Sequence, residues 1–136
     1  MSNSRKRRRQ NLYEQHLTFN DAWIGPFHYD GCGYIYDSEN TMVFTFECPD
    51  DIEEDKMYKE ISDKMVNALN GLEVEPINGI EIQDGVDLYK DGKLIGYFRG
   101  WGHLTGTGAM NLSSETATKL QDSFIDYVME KLKNGK

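Results

Sequence analysis

The sequence predicts an α+β domain: a mostly antiparallel sheet of about five or six strands with two helices packed on one face, in the order βββαβββα. Three observations carry that prediction. Two segments repeat apolar residues at helical spacing, one through Tyr58, Ile61, Met65, Ala68 and Leu69 and one through Ala117, Leu120, Phe124, Tyr127, Val128 and Leu132. Ahead of each stripe stand three short strand-like segments. Between those segments fall turn pairs such as Asp84-Gly85 and Asp91-Gly92, the latter the strongest hairpin signal in the chain.

The bulk numbers agree with a folded protein. The chain has 136 residues, 38% of them hydrophobic, with two Trp, eight Tyr and six Phe, enough for one domain with a real core. Its net charge of −8 is unevenly spread. Arg5, Lys6, Arg7, Arg8 and Arg9 stand together at the start, leaving ten basic against twenty-three acidic residues beyond them, a net −13. The organisation read from this is a disordered basic tail over 1–10 and a single α+β domain over 11–136. Such a body repels nucleic-acid backbones and suits a basic partner surface. The tail could grip nucleic acid, but a lone basic run is a low-specificity signal and a solvated arm is the preferred reading. No apolar run follows the tail and no segment has membrane length, so no membrane partner is expected. Two cysteines, Cys32 and Cys48, are then expected to be reduced thiols in a cytoplasm.

In chain order, Leu12, Tyr13, His16 and Leu17 have the spacing of a docked helical turn. Asn20-Asp21 reads as a turn and Ala22–Tyr29 as a first strand, placed at an edge or bulged by Gly25-Pro26. Tyr34–Tyr36 and Thr41–Glu47 are strands joined through Asp37–Asn40, with Met42, Phe44 and Phe46 on the core face. Asp50, Asp51, Glu53, Glu54 and Asp55 lack the order of a calcium loop and suit a helix start, where carboxylates face the positive end of the dipole. That helix is expected to reach Asn70 and stop at Gly71. Ile80–Ile82, Val86–Lys90 and Lys93–Arg99 are the second set of strands. Ser113 is the cap of the closing helix, with Leu112 set to staple onto Ala117. The two halves carry a faint internal echo around their hairpins.

Three places could carry chemistry. The glycine-rich loop after Arg99 could cradle an anion through Thr105 and Thr107, with Trp101 and His103 nearby, but it matches neither a Walker A nor a dinucleotide loop. The preferred reading is an irregular corner with Trp101 and Leu104 tucked into the core. His28, Cys32, Cys48 and His103 lack both a nucleophile signature and the paired spacing of a zinc site, so no metal, cofactor or catalytic residue is expected; Cys48 is expected buried. On the third strand of the second set, Tyr97 and Arg99 share one face and Leu94, Gly96 and Phe98 the other. With Tyr29, Tyr34, Tyr36 and Tyr89 they could form a platform. The reading that follows is a small acidic non-enzymatic binding protein acting on a protein partner, in an inhibitor, immunity-type or adaptor role. The alternatives are a nucleotide- or phosphate-binding enzyme using the Gly100–Ser114 loop, and a nucleic-acid binder through the tail.

Overall fold

A computed structural model describes residues 17–105 and 110–135. The basic tail, Leu12 to His16, Thr107 and Lys136 lie outside the described residues. The elements are α1 (Phe19–Ala22), β1 (His28–Tyr29), β2 (Tyr34–Tyr36), β3 (Met42–Phe46), α2 (Ile52–Leu69), β4 (Ile80–Gln83), β5 (Asp87–Lys90), β6 (Lys93–Phe98), α3 (Trp101–Leu104) and α4 (Ser114–Asn134). All six strands join one antiparallel sheet in the order β1-β2-β3-β6-β5-β4. The expected α+β class and strand–helix order are therefore what the chain adopts, with two one-turn helices added.

Local chemistry explains most boundaries. Asp51 caps α2, its carboxylate accepting from Glu54 N–H at 2.8 Å, and Gly71 beyond the helix takes φ 79°. Ser113 caps α4, accepting from Thr116 N–H, and Gly135 closes it in the left-handed region. Asp91 and Gly92 both have positive φ, as a two-residue hairpin turn matched to the sheet twist requires. The first strand is shorter than the sequence suggests. Residues Phe19 to Ala22, including Asn20 and Asp21, close a helical turn instead, with Thr18 N–H donating to the Asp21 carboxylate at 2.7 Å. Trp23 then drops into the core, and only His28 and Tyr29 pair, at the sheet edge.

Two β-bulges set which side chains the helices cover. Ile35 pairs with Phe44 but Tyr36 with Met42, so Val43 is the extra residue; Leu88 pairs with Gly96 but Tyr89 with Leu94, so Ile95 is the extra residue. Both extra residues are fully buried. The bulges change the expected faces: Met42 and Leu94 leave the core side, while Val43 and Ile95 are added to the buried set. The core side runs through Ile35, Phe44, Phe46, Leu88 and Phe98. Tyr58 of α2 stacks on Phe46, and Phe124 of α4 meets Phe98 edge-on, so both long helices lie on this face. Gly96 lies under Phe44, where a Cβ would sit 2.6 Å from the ring and 2.5 Å from the Thr45 carbonyl oxygen. Only glycine fits there.

Candidate functional site

The opposite sheet face follows from the same register. Gln83, Asp87, Tyr97, Thr45 and Tyr34 form one cross-strand row; Glu81, Tyr89 and Leu94 form a second; Met42, Tyr36 and His28 form a third. Tyr34, Tyr36, Tyr89 and Tyr97 are all half-buried, as rings lying along a sheet with one side open would be. His28 stacks on Tyr36 with ring centroids 5.8 Å apart, and Tyr34 lies 6.4 Å from Tyr36. Thr45 donates its hydroxyl to Met42 Sδ at 3.3 Å, which holds that thioether on the same face. Tyr29 does not belong to this platform. It pairs with Ile35 on the helix side, meets Phe46 edge-on, and accepts from Gly33 N–H at 3.1 Å; burial pushes its phenol up.

Arg99 closes one end of this face. It is the sole arginine outside the N-terminal tail. Its guanidinium lies 5.6 Å from the Tyr97 ring centroid, and Nη1 donates to Thr45 Oγ1 at 3.4 Å. Among the described residues no carboxylate pairs with it. Beside it opens a cleft of about 360 Å³ bordered by Val86, Tyr97, Phe98, Arg99, Trp101 and Gln121, with Gly100 and Gly102 at its lip. Gln121 is 8% exposed and its amide has no hydrogen-bond partner among the described residues. Trp101 is 43% exposed, contrary to the expectation that it tucks inward; Leu104 alone takes the core position. The chain forms one turn of helix at 101–104, with Trp101 at its exposed first position and Leu104 at its buried last position.

His103 and Thr105 are committed to structure. His103 Nε2 donates to the Ala22 carbonyl at 2.8 Å, tying α3 to α1. Thr105 donates its hydroxyl to the Trp101 carbonyl at 2.8 Å. The structure thus brings Tyr97, Arg99 and Trp101 together and sends His103 and Thr105 elsewhere. Gln121 was legible in one respect: it is a polar residue set among Ala117, Phe124 and Val128, on the apolar stripe of α4.

The acidic run is a helix start with a cation placed on it. Lys93 bridges Asp50 at 2.8 Å and also bonds Glu54, which accepts from the Tyr58 hydroxyl at 2.8 Å. The Lys93 and then the Tyr58 hydrogen bonds hold the Glu54 carboxyl below the ordinary range; burial first, then Glu54, pushes the Tyr58 phenol up. Cys32 and Cys48 are unpaired and both exposed, which corrects the expectation that Cys48 is buried. Among the described residues no three His, Cys, Asp or Glu side chains group as a metal would need, and no helix is long and apolar enough to cross a membrane. No protein-family model, curated protein or solved structure matches the chain.

Proposed function

We propose that this is a non-enzymatic binding protein acting through protein–protein contact, with the tyrosine-bearing sheet face as its contact surface. The observation that supports it is the placing of Tyr34, Tyr36, Tyr89 and Tyr97, with Met42 and Leu94, on the face that neither long helix covers. Tyrosine and methionine are enriched at protein interfaces: tyrosine offers a large apolar body with few rotatable bonds and a hydroxyl that can stay hydrated, methionine a polarisable side chain that adapts to a partner surface. The net −13 beyond the tail favours a basic partner over nucleic acid, whose phosphates it would repel. An inhibitor, immunity-type or adaptor role fits a chain of this size. Exposed, unpaired Cys32 and Cys48 suit a reducing, cytoplasmic setting.

The test is affinity capture from the source lysate, with and without nuclease, using the full chain and a Tyr34→Ser/Tyr36→Ser variant. A basic protein held through nuclease treatment and lost with the variant supports the reading, provided the variant melts like the parent. Capture that depends on nucleic acid, and survives the variant, overturns it in favour of the tail.

A further inference from the structure

The cleft beside Arg99 is a site in its own right, and it lies beyond the protein-contact reading. Its borders combine what small-ligand sites need: apolar and aromatic walls from Val86, Phe98, Tyr97 and Trp101, and two polar residues, Arg99 and Gln121. A volume of about 360 Å³ falls within the range of such sites. We propose that this cleft binds a small flat carboxylic acid, its carboxylate paired with Arg99 and its ring laid against Trp101.

Each part of that assignment has its own ground. Arg99 is a planar fork of donors with a single hydroxyl partner and no carboxylate partner among the described residues, although acidic residues are plentiful in this chain. Tyr97 supports the guanidinium from the side, which favours one orientation of the fork. A carboxylate matches that fork with two parallel hydrogen bonds. The charge must be a single one. One guanidinium balances one carboxylate, whereas a doubly charged phosphate monoester would keep an uncompensated charge inside the field of a strongly acidic body. Trp101 supplies an exposed indole at the border of the same cleft, a flat apolar surface on which a ring can stack. Gln121 offers both donor and acceptor atoms, unspent, from the first half of α4. Its amide atoms still reach solvent, since Trp23 Nε1 is the buried side-chain polar atom left without a partner among the described residues, so a polar ring substituent can bond them in place of water.

The experiment uses the full chain labelled with 15N and follows the two indole N–H signals, Trp101 in the cleft and Trp23 in the core as internal control. The probe is 2-naphthoate; the comparisons are neutral 2-naphthamide, inorganic phosphate and adenosine monophosphate. Expected is a saturable shift of the Trp101 signal with 2-naphthoate and little movement of Trp23. The amide, and 2-naphthoate on Arg99→Gln, should each bind at least about tenfold more weakly, equivalent to about 1.4 kcal/mol. Gln121→Leu should weaken the site several-fold with an unchanged melting temperature. Trp101→Leu, read by thermal shift, should lose the 2-naphthoate response with the fold retained. Equal binding of acid and amide, or full affinity in a folded Arg99→Gln chain, overturns the proposal. So does tighter binding of either phosphate compound. Absence of a saturable shift up to about 10 mM, a binding free energy weaker than about 2.7 kcal/mol, overturns it too. None of these outcomes bears on Tyr34 or Tyr36, so failure of the cleft is distinct from failure of the protein-contact face.

Discussion

Asp37 is 1% exposed, and it is a carboxylate. Its burial is tolerated because three backbone N–H groups point at it: Ile24 at 3.1 Å, Glu39 at 3.0 Å and Thr41 at 2.8 Å. One side chain therefore shapes the β2–β3 turn and fastens it to the segment before β1. Asp37→Ala strands those donors and should cost about 3 kcal/mol in urea unfolding, with Asp37→Asn losing roughly half of that because one acceptor remains. Equal losses from the two substitutions would mean that the turn requires both carboxylate oxygens or their charge, since Asn keeps the shape and one acceptor. Glu54 predicts a pH effect at the same scale. Its carboxyl is held below the ordinary range when folded, so folding favours the ionised form. The contribution is complete above the unfolded carboxylate's range and is lost as pH falls through the folded value. Lys93 is held above its ordinary range by Asp50 first and Glu54 second, and its contribution is complete below that range and lost only as pH rises past it. At neutral pH both are present. The urea midpoint should decline between about pH 5 and pH 3, and Glu54→Gln should flatten that decline relative to the parent chain, most clearly at low salt.

The long helices are the elements the sequence described best, because their apolar stripes coincide with their buried faces. Phe124 is the centre of the α4 stripe, with ring centroids 4.4 Å from Trp23, 5.8 Å from Phe19 and 6.2 Å from Phe98. Phe124→Ala should cost about 4 kcal/mol by leaving a cavity among those rings. Lys119→Ala, at an exposed pair with Glu115, should cost about half a kcal/mol or less. A chevron or urea series on the two variants checks the contrast, and similar losses would mean that α4 packs by another face. The strands were less legible, for a physical reason. Period-two alternation assigns faces correctly only while the register holds, and bulges at Val43 and Ile95 each shift it by one residue. Nothing in a run such as Met42-Val-Phe-Thr-Phe46 marks which apolar residue is the extra one. The candidate site shows the same division. Tyr97 and Arg99 could be placed together because they are two apart on one strand, whereas Gln121 joins them only through the packing of α4 on the sheet. The short helix at 101–104 was missed because Gly102 lies inside it, and glycine is a poor helix former.

On the scale of the whole molecule, the two halves meet within the sheet at a single pair of strands. β3 and β6 run antiparallel with Phe44 opposite Phe98, Thr45 opposite Tyr97 and Phe46 opposite Gly96. The first strand of each half stands at an outer edge of the sheet and the third at its middle, while α2 and α4 pack side by side on one face. The central pairing therefore joins two pieces of like plan, each a three-stranded meander followed by a long helix, and the backbone between them is the stretch from Leu72 to Ile77, outside any helix or strand. In that arrangement covalent continuity across the stretch contributes local concentration more than structure. A chain cleaved there should yield two fragments that are each poorly ordered alone, since each leaves a strand edge and a helix flank bare. Mixed, they should recover the native circular-dichroism spectrum with a midpoint that rises with concentration. The seam would then behave as a heterodimer interface that happens to lie within one polypeptide.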